Sequence, residues 1–307
     1  MKAFFMRLAV FLLPLVIGWL LLMIRPFDAH PGWTYLENNC RRGYFLHHHL
    51  YQESDTLDLA FIGSSRTMCA FNDSLMAELG SSHQEAVSVA NLGTCFYGRD
   101  LQYLIVKRLL NRRPVRQIVL EIRATENPAG NRNFAWFAHA GELWDAPLNP
   151  RYLSNWVAGT EHRLNWIQQQ IQGKADTSWK SKTPPTHAFV PAPSVLRLSA
   201  EDSSKQVRPI MPQQAEPSSF ARHYLEKIMV LTQEHGVSLH LVYLPAYSLS
   251  PEQEPIYLNF YQKMGETHLP PAHLRHQAAW HMDEGHLNEL GASAYTRWLH
   301  QELSLQP

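Results

Sequence analysis

Apolar and polar positions along the chain fall into blocks that predict strands followed by helices. Four short apolar runs have the length of strands: residues 57–62, 87–92, 117–122 and 237–244. Four longer stretches have helical periodicity: residues 72–79, 99–110, 220–235 and 289–303. Because strands that alternate with helices are joined by right-handed crossovers, we predict an α/β domain with a parallel sheet and helices on both faces.

A long segment between the third and fourth predicted strands interrupts this rhythm. Residues 133–172 are rich in Trp and are predicted to be helical, whereas residues 173–219 are rich in Pro, Ser, Gln and Lys and predict an irregular loop. Insertions at the carboxyl edge of a parallel sheet are where substrate specificity is usually built. We therefore assign residues 55–307 to one domain with an insertion at residues 124–219.

The amino terminus is the most apolar part of the chain. The run Leu8–Ile24 follows Lys2 and Arg7, and it predicts a transmembrane signal anchor over residues 1–25. The basic residues before the run predict that the short tail stays inside and the rest of the chain faces out. A cleaved signal peptide is the alternative, although Phe27-Asp28-Ala29 lacks the small residues of a good cleavage site.

Residues 26–54 are interpreted as a juxtamembrane connector between the anchor and the domain. The connector contains the triplet His47-His48-His49. Adjacent residues on one element do not converge on a single ion, so the triplet is expected to lie in an exposed or interfacial stretch and not at a metal.

Charge and histidine spacing exclude two classes of function. Lys plus Arg and Asp plus Glu number 27 each, and no basic stripe stands out, so nucleic acid is not an expected partner. Five histidines crowd the C-terminal region: His268, His273, His276, His281 and His286. They show no His-Glu-x-x-His spacing and Pro270-Pro271 breaks any single helix, so we assign no metal and no cofactor.

Two separate motifs carry candidate chemistry. Gly63-Ser64-Ser65 follows a predicted strand, so the turn presents a hydroxyl and backbone N–H groups at the carboxyl edge of the sheet. Asp283 precedes His286 by three residues on a loop that enters a helix, where it can accept a bond from Nδ1–H and leave Nε2 to take a proton from serine. Each motif alone is also typical of helix capping. Together, on an α/β chain, they predict a serine nucleophile with an Asp/His base.

These motifs resemble the SGNH/GDSL hydrolase superfamily, whose first block is Gly-Asp-Ser and whose last block is Asp-x-x-His. Gly63-Ser64-Ser65 matches the first block with Ser64 in the Asp place, and Asn91-Leu92-Gly93 matches the second. Asp283 and His286 match the last block. The resemblance implies a three-layer, flavodoxin-like domain. It also implies that Ser65 is the nucleophile, that His286 and Asp283 activate it, and that the Ser65 and Gly93 amides stabilise the oxyanion.

The third block of the superfamily, Gly-x-Asn-Asp, is not matched. After the third predicted strand the sequence is Ile122-Arg123-Ala124-Thr125-Glu126-Asn127. Thr125 stands in the Asn place, and Arg123 or Asn127 could substitute for that donor by reach. Loss of one oxyanion donor costs on the order of 3 kcal/mol of transition-state stabilisation, so a site of this kind must replace it or run slowly.

The Gly-Ser-Ser variant behind an amino-terminal anchor is similar to the extracytoplasmic SGNH-like proteins of teichoic-acid D-alanylation and alginate acetylation. This resemblance implies an inner-membrane protein with a periplasmic catalytic domain. It implies transfer of an acyl group, with acetyl as the first candidate, to a surface polysaccharide or another hydroxylated glycan. A multi-pass membrane-bound O-acyltransferase is the implied partner. The alternatives are an SGNH esterase or deacetylase, and a catalytically degenerate glycan-binding or scaffolding subunit.

Cys40, Cys69 and Cys95 form an odd set of thiols. An exported domain can pair two cysteines and leave the third free. Cys69 lies about one turn beyond Ser65, and Cys95 lies two residues beyond Gly93, in loops that are neighbours in the fold that the resemblance implies. A Cys69–Cys95 disulfide is therefore one expectation, and three unpaired thiols are the other.

Overall fold

The structure of the protein is a computed structural model that describes residues 1–24, 30–81, 86–173, 189, 216–244, 247, 257–275 and 277–303. Its strands are β1 Leu57–Ile62, β2 Val89–Asn91, β3 Val115–Ile122, β4 Ser238–Tyr243 and β5 Glu266–His268. Its helices are α1 Lys2–Ile24, α2 His30–Cys40, α3 Gly43–Tyr51, α4 Ser65–Ala70, α5 Asp73–Gly80, α6 Arg99–Arg112, α7 Phe134–Phe137, α8 Ala140–Trp144, α9 Tyr152–Ile171, α10 Ser219–Glu234, α11 Leu258–Met264, α12 Ala272–Arg275 and α13 Glu289–Leu303.

The five strands form one parallel sheet in the order β2-β1-β3-β4-β5. The central pair β1 and β3 aligns Ile62 with Leu120, and β3 aligns Ile122 with Tyr243 of β4. The carboxyl ends of these three strands therefore meet at one edge of the sheet. The predicted α/β class with a parallel sheet is confirmed.

Alternation along the strands divides the apolar core between the two faces of the sheet. Leu59 and Phe61 pack in a cluster with α4, α5 and α13, whereas Ala60 and Ile62 pack in a larger cluster with α3, α6 and α10. Successive strand residues point to opposite faces, so a strand covered on both sides is apolar throughout. This explains why the central strands appear in the sequence as unbroken apolar runs.

The described part of residues 26–54, interpreted from the sequence as a connector with an exposed or interfacial histidine triplet, contains two helices that pack on the domain. Helices α2 and α3 contact each other, and α3 contacts α6. Their apolar side chains, among them Leu36, Phe45 and Leu46, are buried in the larger core cluster. His49 is buried as well, and its ring contacts the Arg113 guanidinium and the Glu53 carboxylate.

Helix α1 is long and apolar enough to cross a membrane, with a mean hydropathy of 2.3 over Lys2–Leu22. It contains Pro14 and contacts α9. The Trp19 indole N–H donates to Thr160 Oγ1 at 3.0 Å, and the Trp19 and Trp156 rings lie 5.5 Å apart.

The predicted helical stretch at residues 133–172 contains α7, α8 and α9. Most of the predicted irregular loop at residues 173–219 lies outside the described residues, as does the unfavoured cleavage site at residues 27–29.

The expected Cys69–Cys95 disulfide is wrong, and so is the alternative of three unpaired thiols. Cys95 is bonded to Cys40 at the end of α2, with Cα atoms 6.1 Å apart, and Cys69 is a buried free thiol. Cys69 lies on the buried side of α4, whereas α2 packs close to the loop that carries Cys95. The error follows from treating residues 26–54 as a connector, since that interpretation left Cys40 far from the domain.

Candidate active site

The turn after β1 can be made only with glycine at position 63. A Cβ on Gly63 would lie 1.8 Å from Thr67 Oγ1 and 2.5 Å from Glu121 Oε2. The Gly63 carbonyl accepts the Thr94 N–H at 3.0 Å, which ties this turn to the loop after β2. The close approach of Glu121 to the backbone therefore requires Gly63 and sets the path of the chain into α4.

Ser64 caps α4 and places Ser65 at the first helical position. The Ser64 hydroxyl accepts the Arg66 N–H at 3.1 Å, and Ser64 itself is fully buried. The first N–H groups of a helix have no intrahelical acceptor. The Ser65 N–H is one of these groups, and it lies on the same residue as the partly exposed Ser65 hydroxyl.

Ser65, His286 and Asp283 form one hydrogen-bonded chain. His286 Nε2 lies 2.8 Å from Ser65 Oγ, although 221 positions separate the two residues. His286 Nδ1 lies 2.9 Å from both carboxylate oxygens of Asp283. This is the spacing expected for a nucleophile, its base and a group that orients the base.

A short loop between the 3-10 turn Ala278–Trp280 and α13 fixes the histidine. Asp283 Oδ1 accepts the backbone N–H groups of Gly285 at 2.7 Å and of His286 at 2.9 Å. The Met282 N–H donates to the His286 carbonyl at 3.0 Å and closes the loop. Asn288 then accepts the Gly291 N–H at 3.1 Å and caps α13. The loop thus holds His286 through its backbone as well as its ring.

Asp283 is ionised in this arrangement. Burial on its own raises the pKa of Asp283, but hydrogen bonds from the His286 ring and from the Gly285 N–H outweigh it. The pKa therefore lies below the ordinary value of 3.8. A carboxylate at this position favours the His286 tautomer that carries its proton on Nδ1, which leaves Nε2 as the proton acceptor for Ser65.

A buried carboxylate, Glu121 at the end of β3, lies beneath the nucleophile turn. It accepts the Ser64 N–H at 2.7 Å, the Ser64 hydroxyl at 2.9 Å and the Thr67 hydroxyl at 2.7 Å. Arg123 Nε donates to it at 2.5 Å, and Arg123 Nη2 donates to the Ser64 hydroxyl. Burial raises the pKa of Glu121, but the Arg123 charge and these hydrogen bonds outweigh burial and lower the pKa to about 2.

The residues considered as oxyanion donors differ in whether their N–H groups are already bonded in the structure. The Gly93 N–H donates to Asn91 Oδ1 at 3.1 Å, so this expected donor is already engaged within its own loop. Gly93 instead allows close packing, because a Cβ there would lie 2.9 Å from the Ser64 carbonyl oxygen. The Ser65 N–H remains as the candidate donor beside the Ser65 hydroxyl.

The third-block substitutes also differ from one another. The Asn127 amide is committed, because it donates to the carbonyls of Tyr97 and Gly130 at 2.9 and 2.8 Å. Thr125 is exposed and Arg123 half-buried, and both line an open cleft beside the turn. Arg123 is the one of the three that contacts the residue next to the nucleophile.

The cleft has a volume of about 550 Å³ and an unusual lining. It contains four arginines, two aromatic residues and part of the loop after β3: Arg66, Arg123, Arg132, Arg151, Phe96, Tyr97, Ala124, Thr125, Glu126, Asn127 and Gly130. Arg66 directly follows Ser65, so the cleft begins beside the Ser65 turn. Of this set, the sequence motifs indicated only the third-block residues Arg123, Thr125 and Asn127.

Comparisons with protein-family models and with curated sequences identify no relative. No protein-family model matches this chain, and no curated protein matches it in sequence. Function is therefore inferred from the geometry of the site.

Proposed function

We propose that the protein is an SGNH-type serine acyltransferase that forms an ester on Ser65. The observation that carries this proposal is the hydrogen-bonded chain from Ser65 Oγ through the His286 ring to the Asp283 carboxylate. Neither N-capping by a serine nor capping by an Asp/His pair requires the two motifs to meet at 2.8 Å.

The reaction has two steps that use the same base. His286 Nε2 takes the Ser65 hydroxyl proton while Oγ attacks the donor's acyl carbon, and the imidazolium then protonates the leaving oxygen. The acceptor hydroxyl next loses its proton to Nε2 and attacks the acyl-enzyme, and the proton returns to Ser65 Oγ as the serine leaves. The Ser65 N–H stabilises the oxyanion in both steps, and Asp283 stabilises the imidazolium.

The strand order and the resemblance of the motifs to the SGNH blocks support the assignment to this superfamily. The strand order β2-β1-β3-β4-β5 is the flavodoxin-like doubly wound order, in which ligands bind at the carboxyl ends of the strands. Ser65 and the third-block residues follow β1 and β3 at that edge, and His286 reaches it from the loop before α13. We assign the domain to the three-layer, flavodoxin-like SGNH fold on this basis.

We assign the acceptor to a surface polysaccharide or another hydroxylated glycan, and the acyl group to acetyl. Helix α1 serves as the inner-membrane anchor, with the catalytic domain on the periplasmic side. A multi-pass membrane-bound O-acyltransferase supplies the acyl group across the membrane. These assignments rest on the resemblance and on the anchor helix.

Hydrolysis is the second candidate, and solvent access to the base favours it. The side chains of His286 and Asp283 are 26% and 52% exposed, so water can reach the acyl-enzyme unless the acceptor or a partner covers the site. An esterase differs from a transferase only in this second step.

The test is mass spectrometry of the full-length protein after exposure to an activated acetyl ester. We expect one acetyl adduct on the peptide that contains Ser65, absent from Ser65→Ala and from His286→Ala. Faster loss of the adduct with added glycan hydroxyls supports transfer, and loss that is independent of acceptor supports hydrolysis. If the folded parent protein forms no adduct and also does not cleave the ester, both candidates are overturned and the scaffolding alternative remains.

A further inference from the structure

The arginines of the cleft have few acidic partners. Arg66, Arg132 and Arg151 form no ion pair with a carboxylate in the described parts of the chain, whereas Arg123 is paired with Glu121. Burial and then the neighbouring Arg123 charge lower the pKa of Arg66 to about 10, which leaves it protonated at neutral pH. Arg66 donates through Nη1 to the Leu244 carbonyl at 3.2 Å. Three guanidinium groups without a carboxylate partner around one cavity favour an anionic occupant.

The one carboxylate in the lining does not neutralise them. Glu126 is buried and bonded to Arg99 through Nη2 at 2.6 Å and Nε at 3.0 Å. It also accepts the hydroxyls of Tyr97 and Tyr261 at 2.8 and 2.5 Å. Its charge is therefore satisfied behind the cleft, and the surface of the cavity stays positive.

The positive groups are held in place by aromatic rings and a clamped loop. The Arg132 guanidinium lies 3.6 Å from the Phe96 ring centroid, and Arg123 lies 4.1 Å from that of Tyr97. Phe96 has a positive φ of 64°, a conformation that is uncommon for a bulky residue, and its neighbour Cys95 is bonded to Cys40. Strain at a ligand site persists where the surroundings hold it, here the adjacent disulfide.

We infer that this cleft binds an anionic substituent of the acceptor, a carboxylate or a phosphate, and thereby selects acidic polymers. Planar guanidinium groups bind both anions through paired N–H donors. The cavity volume lies in the range of sites for small ligands, so it accommodates a short segment of a chain. Because Arg66 adjoins Ser65, the bound segment brings its hydroxyls to the nucleophile. The assignment of the anion to the acceptor rests on the proposed function, whereas anion binding itself does not.

The binding test uses the full-length Ser65→Ala protein in detergent micelles, so that turnover cannot intervene. Isothermal titration compares a uronic-acid oligosaccharide, its carboxyl-reduced neutral counterpart and a glycerol-phosphate oligomer. We expect at least one acidic oligomer to bind tenfold or more tightly than the neutral one, with affinity that falls as salt rises. The better of the two acidic oligomers identifies the source of the charge.

Variants locate the binding. Arg132→Gln combined with Arg151→Gln should weaken acidic binding at least tenfold, and Arg132→Lys with Arg151→Lys should recover part of it. The control is Arg116→Gln, since Arg116 is 64% exposed and lies away from the cleft at the start of β3. Equal affinity for neutral and acidic oligomers, or equal weakening by the control, overturns the proposal. Acidic binding in a parent protein that forms no Ser65 adduct contradicts only the proposed catalysis.

A second cluster, on the open edge of the sheet, consists of His240, Glu266 and His268. His240 is paired with Glu266 across β4 and β5, and His268 lies two residues further along β5. His240 Nδ1 lies 3.1 Å from His268 Nε2 and 3.3 Å from Glu266 Oε2, and His268 Nε2 lies 3.8 Å from Glu266 Oε1. Both imidazoles are buried and the carboxylate is exposed.

These separations match those of ligands around one small cation. Tetrahedral Zn²⁺ with bonds of 2.0–2.1 Å places its ligand atoms about 3.3 Å apart. A single N–H between the two rings satisfies one nitrogen pair, whereas a bound cation satisfies all three groups. Glu302 of α13 lies 3.8 Å from His268 Nδ1, where it can orient that ring.

We propose that His240, Glu266 and His268 bind a zinc ion, with water as the fourth ligand on the exposed side of Glu266. It would join β4 to the edge strand β5 and, through Glu302, to the end of α13. The sequence pattern did not indicate this site, because His240 and His268 lie on different strands and no local spacing joins them.

The test measures zinc in full-length protein purified without a histidine tag, stripped with chelator and reloaded. We expect one zinc per chain by elemental analysis, and a visible absorption spectrum typical of tetrahedral cobalt after Co²⁺ substitution. His268→Gln should lose the metal, and the exposed Glu266→Gln should weaken it at least tenfold without loss of helical circular dichroism. His48→Gln is the control, since His48 pairs with Glu53 elsewhere. Absence of zinc, or loss of zinc only in the control, overturns the proposal.

Discussion

The Glu121 carboxylate accepts both the backbone N–H and the hydroxyl of Ser64, the residue before the proposed nucleophile. Glu121 lies in β3 and Ser64 follows β1, so these hydrogen bonds join the ends of the two central strands beneath the turn. Because Gly63 has no side chain, the Glu121 carboxylate can contact the backbone of the turn directly. The position of Ser65 therefore depends on a buried charge that does not itself face the substrate.

Glu121→Gln should destabilise the protein by on the order of 3 kcal/mol, as expected when one partner of a buried ion pair is removed. The folded pKa of Glu121 lies near 2, below the ordinary 4.5. Its stabilisation is therefore present above pH 4.5 and lost as pH falls toward 2. The free energy of unfolding, measured by chemical denaturation, should fall less steeply over that window in the variant than in the parent.

The exposed Glu78→Gln serves as the matched control, because Glu78 has an exposed side chain on α5. It should leave both the stability and its acid dependence unchanged. A Glu121→Gln protein with parental stability and a parental pH dependence would show that the buried pair does not support the turn.

Much of the fold and the two motifs of the candidate site could be predicted from sequence, because each strand, helix and motif is a local pattern. β1 and α13 have the predicted bounds, since β1 is buried on both faces and α13 follows a clear Asp-x-x-His loop. The approach of Ser65 and His286 followed from the order of the motifs on an α/β chain. The edge strand β5 was missed because Glu266-Thr267-His268 is short and polar, and it is recognisable only by its pairing with β4.

What could not be predicted depends on contacts between distant segments. Arg123 was considered as an oxyanion donor, but its pairing with Glu121 depends on how the end of β3 packs beneath the Ser64 turn. The Cys40–Cys95 bond required α2 to pack on the domain, which no periodicity indicates for an eleven-residue helix of low amphipathicity. The engagement of Gly93 by Asn91 is likewise visible only from the folded loop.

Ser65→Ala should abolish formation of the acyl-enzyme, whereas Ser64→Ala should retain it at a reduced rate. Ser64 caps α4 and binds Glu121, so its loss should cost about 1–2 kcal/mol of stability and loosen the turn. Mass spectrometry of the adduct and thermal unfolding measure the two effects separately. Abolition by Ser64→Ala alone, with an adduct persisting in Ser65→Ala, would place the nucleophile one residue earlier.

Asp283→Asn should reduce activity less than loss of the nucleophile or the base. In a characterised serine triad, removing the acid costs roughly 10⁴-fold in kcat, against roughly 10⁶-fold for the serine or histidine. Since the Asp283 pKa lies below 3.8, this residue is ionised from pH 5 to 8 and should contribute no inflection to the parent profile there. Rates of ester hydrolysis measured across this range test both statements. Equal losses in Asp283→Asn and Ser65→Ala would contradict the orienting role.

The number of thiols that react with maleimide should depend on whether the disulfide has been reduced. Unfolded without reductant, the chain should label one cysteine with maleimide, and after reduction it should label three, because Cys40 and Cys95 are bonded. Native Cys69 should resist labelling, since burial raises its pKa to about 11. Cys40→Ser should lower stability by about 4 kcal/mol, the chain-entropy value for a separation of 55 residues. The control Cys69→Ser should leave the disulfide intact. Three labelled thiols without reductant would rule out the bond.

Helix α1 should remain part of the mature protein and hold it in the inner membrane. Its apolar surface is exposed along most of its length, and Trp19 contacts α9 of the insertion, so a cleaved chain would lose both the anchor and that contact. The protein should therefore resist alkaline carbonate extraction, and sequencing of its amino terminus should begin at Met1. A reporter fused after residue 303 should be active only when it is of a type that functions outside the cytoplasm. Thr160→Val removes the acceptor for the Trp19 indole N–H. The variant should remain anchored, and its free energy of unfolding should fall by about 1 kcal/mol. Recovery of a free periplasmic protein that starts after residue 24 would establish the signal-peptide alternative instead.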